Sequence, residues 1–147
     1  MSTGVFGTNG QVAALTALLA NTDLYLGLMT QTTNPAVGAY IGSGITEVTG
    51  GGATGYARIK VNKGVAGTDW TLSGGAGELA TALAKTFTAG TDGIASVGGW
   101  FLSKVTTGDA ASDIIGFGVV EAARQGAYAN TDTLTITATL LLKDTSQ

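Results

Sequence analysis

Apolar residues recur at helical spacing in one stretch only, residues 11–21, where Val12, Leu15, Leu18 and Leu19 fall on one face. Asn9 is positioned to cap the start of this helix and Asn21 to end it. About three turns cannot stand alone in water, so the helix is expected to pack over one end of a sheet. Residues 1–10 are small and polar with Val5 and Phe6 inserted, and are expected to form an arm that docks on a neighbouring molecule.

Beyond the helix the pattern changes to alternation. In residues 23–30, Leu24, Leu26 and Leu28 alternate with Tyr25, Gly27 and Met29, which predicts a strand. A long loop over 31–44 carries Pro35, and glycines 50–52 break the chain before a strand at 56–61. There Ala57, Ile59 and Val61 share one face and Tyr56, Arg58 and Lys60 the other, so the strand is expected to be half exposed or to face an interface. Trp70 and Leu72 are expected anchors in the turn-rich 62–77 segment. Residues 78–87 have helical propensity, but the following KTFTAGT favours a strand near 84–88. Gly98 and Gly99 beside Trp100 point to a bulge or a close backbone approach. Residues 114–121, nearly all apolar, predict a strand buried on both faces. The clearest strand is 133–142, with Leu134, Ile136, Ala138, Leu140 and Leu142 inward and Thr133, Thr135, Thr137 and Thr139 outward.

Short strands between turn clusters, with one short N-terminal helix, predict an all-β domain of β-sandwich or jelly-roll-like type over residues 11–147, after an arm at 1–10. The length, 147 residues, suits one domain. Charged residues make up only 12% of the chain and the net charge is −3, against about a quarter charged in ordinary domains. The surface must therefore be built of Gly, Thr, Ser and Ala, which suits a protein covered by neighbours. An uncharged skin on an independent β-domain is the alternative that composition leaves open.

The chain has neither histidine nor cysteine. The commonest general base, the commonest zinc ligand and any disulfide are thereby removed, so no enzyme activity and no cofactor are expected. The seven basic residues are scattered, which argues against nucleic-acid binding. No apolar run has the length of a membrane span, and residues 1–10 do not read as a secretory signal, so no membrane association is expected.

Three patterns invite chemistry. The run TGGGATG at 49–55 has the glycine content of a phosphate loop but lacks its Gly-Lys-Ser/Thr ending and precedes a strand, so a turn is expected. Asp92, Asp109 and Asp113 lie in oxygen-rich turns without the alternation of an EF-hand loop, and turn chemistry accounts for them. The aromatics Tyr25, Tyr56, Trp70, Trp100, Phe101 and Tyr128 are read as core or interface anchors, with a sugar site as the alternative.

Four segments together carry a resemblance: LYLGLMT at 24–30, ITEVTGGGATGYARIKV at 45–61, FTAGTDGIASVGGWFLS at 87–103 and the closing stretch 114–144. The chain resembles a group of small structural proteins of tailed bacteriophages, most specifically in Thr46-Glu47-Val48, the glycines after it, and Tyr56-Ala57-Arg58. The extra Ala53-Thr54-Gly55 and the sequence Asn130-Thr131-Asp132-Thr133 depart from that pattern. The resemblance implies a virion component assembled in the host cytoplasm, and carries no catalytic or cofactor residues. A head decoration, or cement, protein is expected, working as a homo-oligomer, with a trimer favoured, against the major capsid protein or other virion proteins. A tail or baseplate component and a receptor- or glycan-binding component are the alternatives. Val5, Phe6, Tyr56, Arg58 and Lys60 are the expected interface residues, with Glu47 and Arg58 as rim charges that set register.

Overall fold

The computed structural model describes residues 8–50, 52–64, 69–73, 79–108 and 110–141. In chain order these form the helix α1 (Thr8–Asn21) and the strands β1 (Leu24–Met29), β2 (Tyr40–Ile41), β3 (Gly44–Ile45), β4 (Ile59–Val61), β5 (Trp70–Ser73), β6 (Leu79–Ala82), β7 (Lys85–Thr88), β8 (Ile94–Val97), β9 (Gly99–Ser103), β10 (Ile114–Val119), β11 (Gly126–Tyr128), β12 (Thr133–Ile136) and β13 (Thr139–Leu141). The fold is all-β with a single helix, and its longer pairings are antiparallel. Among the described residues, no helix is long and apolar enough to cross a membrane. The chain, expected as one domain over 11–147, divides into two compact units.

The first unit holds α1 with β5, β6 and β13. The helix begins at Thr8, three residues before the predicted start, so Asn9 lies within it rather than capping it. The apolar spacing registers only from Val12 onward and cannot report the turn before. Gln11, Leu15 and Leu19 are buried at four-residue intervals along one face. The end at Asn21 falls as expected, and its side-chain amide donates to Ala17 O at 2.8 Å, closing the last turn. Strand β6 lies between β5 and β13, so the helical propensity of 78–85 yields to sheet pairing.

The second unit holds β1–β3, the start of β4, and β7–β12. Its main sheet runs β10-β9-β1-β4. Interior placement buries β1 almost entirely: Leu24, Leu26, Leu28 and Met29 are all 0% exposed. Two glycines are required here by the rings opposite them. Gly27 pairs with Phe101, and a Cβ on it would overlap that ring. Gly118 pairs with Trp100 in the same way, and a Cβ there would lie 2.7 Å from the indole. Each ring lies across the neighbouring strand and covers the backbone that its glycine leaves bare. The close approach expected at Gly98 is also found, against the carbonyl oxygens of Thr30 and Gln31. Met29, Ile45 and Phe101 form the centre of this core, with Ile41, Ile114 and Phe117 packed on it.

Two predicted strands need correction. The 114–121 run was expected to be buried on both faces, yet β10 is the edge of its sheet, its residues are half-buried, and Val119 is 38% exposed. Gly116 and Gly118 supply no side chain to bury, so an apolar composition there does not require two covered faces. The 133–142 segment keeps its inward and outward alternation but splits into β12, paired with β7, and β13, paired with β6. On β12 the outward threonine row meets its counterpart on β7, with Thr86 and Thr135 hydroxyls 2.8 Å apart. Leu142 lies outside the described residues.

Candidate functional site

The segment expected to present Tyr56 and Arg58 to a partner turns both inward. Only Ile59–Val61 of the predicted strand pairs, as β4. Tyr56 is 5% exposed and the Arg58 side chain 2%. Sequence alternation places a charged residue outside by default, but Arg58 has a partner of its own. Its Nε donates to Glu47 Oε1 at 2.8 Å and its Nη2 to Glu47 Oε2 at 2.7 Å, a two-point ion pair. Its Nη1 donates to Val105 O at 2.8 Å, and the guanidinium lies 4.9 Å from the centre of the Phe101 ring.

Tyr56 completes the cluster. Its hydroxyl donates to Glu47 Oε1 at 2.7 Å and accepts the Leu28 N–H at 2.9 Å, while its ring stacks on Phe87. Burial pushes the hydroxyl well above the ordinary phenol value, and the adjacent Glu47 carboxylate adds to the rise. It therefore remains protonated and remains a donor. Glu47 and Arg58 are not rim charges; they clamp the two ends of the 47–58 loop to the sheet. Within that loop Gly52–Thr54 forms a 3-10 turn, whose carbonyls at Ala53 and Thr54 accept from Asp92 N and Gly90 N. A turn that presents carbonyls to the 90–92 segment is a packing element, not an anion cradle.

Of the other expected interface residues, Lys60 is exposed, and Val5 and Phe6 lie outside the described residues. Tyr25, Trp100 and Tyr128 are half-buried, while Trp70 and Phe101 are core, as their anchor reading required. Among the described residues, no three His, Cys, Asp or Glu side chains gather to hold a metal. The Asp113 carboxylate accepts the Ala110 N–H at 2.9 Å, the turn role expected of it, and Asp109 lies outside the described residues.

The surface best suited to contact is one the sequence pattern did not single out. In the β5-β6-β13 sheet, Trp70, Ala80 and Ala82 point to the buried face. On the opposite face lie Thr71, Thr81 and Thr139, in register with one another. By the same parity Leu83 and Leu141 join them, at 60% and 61% exposure. The Leu83 N–H still donates to Asp69 O, so the ladder continues to that point. By the same parity Asp69, opposite Leu83, falls at the margin of this face, where its carboxylate accepts the Asn62 N–H at 2.8 Å; the described side chains between, Thr71, Thr81 and Thr139, are uncharged. The signal was present in the sequence: the outward row of Thr133, Thr135, Thr137 and Thr139, which runs from β12 into β13, continues to residue 141, which is leucine. On β6 the small alanines face in, and Leu83, just past the strand, faces out, the reverse of ordinary amphipathy.

Comparison with family models, curated proteins and solved structures finds no match to this chain.

Proposed function

We propose that this chain is a structural protein of a virus particle, a capsid decoration protein that packs against copies of itself and against the major capsid protein. The observation that carries the reading is the threonine-lined outer face of the β5-β6-β13 sheet with its two exposed leucines, where the described charge, Asp69, sits at the margin with its carboxylate bonded to Asn62. A surface of threonines and leucines is matched by an equally uncharged one, and the same rows on a second copy meet that condition. The phage resemblance, concentrated at Glu47, Tyr56 and Arg58, supports the same reading, because those residues form the cluster that fixes the fold.

Magnitudes favour a repeated assembly over a free dimer. Burying the exposed parts of two leucines contributes about 2–3 kcal/mol. Association costs at least about 4 kcal/mol. The isolated pair is therefore weak, and a closed shell that repeats the contact, with further contacts from the capsid, makes attachment stable. The arm carrying Val5 and Phe6 and the exposed Lys60 are the further contacts proposed.

Leu141→Lys tests this reading. The substitution is expected to leave the melting transition of the isolated chain nearly unchanged, because exposed positions shift stability by only about 0.5 kcal/mol. Its copy number on purified particles is expected to fall roughly tenfold or more, the effect of about 1.4 kcal/mol per contact. Incorporation equal to that of the unsubstituted chain would count against this face as the contact.

A further inference from the structure

A second surface, in the other unit, gathers Asp92, Asp132 and Arg124 around one tyrosine. An open recess of about 430 Å³ is lined by Thr91, Asp92, Ile94, Tyr128, Asn130 and Asp132. A second of about 410 Å³, with Arg124 and Gln125 on its wall, shares Ala127, Tyr128 and Asp132 with the first. Both volumes fall in the range of small-molecule sites. Tyr128 thus stands between two adjoining recesses.

The rim is held in place before any ligand arrives. Asp132 Oδ2 accepts the Ala129 N–H at 2.8 Å, and Asp132 N donates to Ala129 O at 2.9 Å. Thr131 N donates to Ala89 O at 2.9 Å, and Ala89 N to Asp132 O at 2.8 Å. The Tyr128 hydroxyl donates to Arg124 O at 2.6 Å, which fixes the ring, and Gln125 Nε2 donates to Val120 O. Within this rim Thr131 adopts φ +71°, a left-handed conformation that a β-branched residue rarely takes. Such strain persists only where its surroundings over-determine it.

We infer that these adjoining recesses bind a neutral oligosaccharide of at least two sugar units lying across Tyr128. Carboxylates at Asp92 and Asp132 accept hydroxyl protons, the Asn130 amide both donates and accepts, and an aromatic ring offers a surface for the apolar face of a pyranose. Two carboxylates in one recess disfavour phosphate, sulfate and sialic acid. Arg124 in the adjoining recess disfavours a cationic ligand, and a divalent metal lacks a third acidic ligand among the described residues.

The test is an amide-resolved NMR titration of the full chain with lactose, cellobiose, mannobiose and chitobiose, and with 3′-sialyllactose and calcium chloride in separate runs. At least one neutral disaccharide is expected to give saturable shifts confined to residues 91–95 and 123–133, with a dissociation constant on the order of 1 mM. Combined Asp92→Ala and Asn130→Ala substitution, both at exposed positions, is expected to weaken that binding roughly tenfold or more while the remaining resonances stay in place. The inference is overturned if none of the four neutral sugars shifts these amides at about 20 mM, about twenty times the expected constant. It is equally overturned if the doubly substituted chain binds as well, or if only sialyllactose or calcium produces the shifts.

Discussion

Arg58→Ala is expected to destabilise the second unit by about 3–5 kcal/mol, the loss associated with breaking a buried ion pair from one side. The Arg58 side chain is 2% exposed and Glu47 is 22% exposed, so the carboxylate left behind is poorly hydrated. Val105 O loses its donor, and the Phe101 ring loses the guanidinium above it. The check is a urea denaturation series with an unchanged slope and a lowered midpoint. Glu47→Ala takes the carboxylate from both Arg58 and the Tyr56 hydroxyl, and the doubly substituted chain is expected to lose less than the sum of the two, with a coupling on the order of 2 kcal/mol. Additive losses would mean that the pair is not a clamp. Replacing Arg58 and Glu47 together by Met and Gln is expected to recover part of the stability, because apolar packing can substitute for a buried pair.

Phe101→Ala is the second large effect, about 3–5 kcal/mol for an aromatic truncated in a packed core. Phe101 is fully buried, fills the space above Gly27, packs with Met29 and Ile45, and supports Arg58. The expected signature is specific: restoring a side chain at Gly27 in the Phe101→Ala background costs less than in the parent chain. In the parent, a Cβ at Gly27 overlaps the ring. The comparison is again made by denaturation midpoints, with four chains completing the cycle. Equal costs of Gly27→Ala in both backgrounds would mean that the ring does not dictate the glycine.

These two residues also mark where the sequence was readable and where it was not. The alternation of Leu134, Ile136 and Ala138 reports a real inward row because every second side chain must leave water, whereas on β1 the alternate positions Gly27 and Met29 are buried as well as the leucines. Gly98 was readable because a glycine beside Trp100 in a strand marks a place where a second backbone comes too close for a Cβ. The burial of Tyr56 and Arg58 was not readable from their own segment. It depends on Glu47, eleven residues before Arg58, and on the Leu28 N–H, and period-two reasoning has no term for a distant partner. The β10 edge was missed because composition reports how apolar a strand is, not how many neighbours it has. The leucine-bearing face was only half legible. Residue 141 follows from the threonine row, whereas Leu83 is recognised only once β6 is known to be a strand. The cleft was foreshadowed by Tyr128 and Asp92, but Asn130 and Asp132 join them through the pairing of β8 with β11 and the turn that follows.

If this chain is built to be covered by neighbours on a particle, the most direct measurement is its copy number in purified virions, with heads and tails separated before quantitative mass spectrometry. Many copies per particle, recovered with the heads, are expected. Recovery with tails, or only a few copies, would contradict the decoration reading, and absence from particles altogether would contradict the structural role itself.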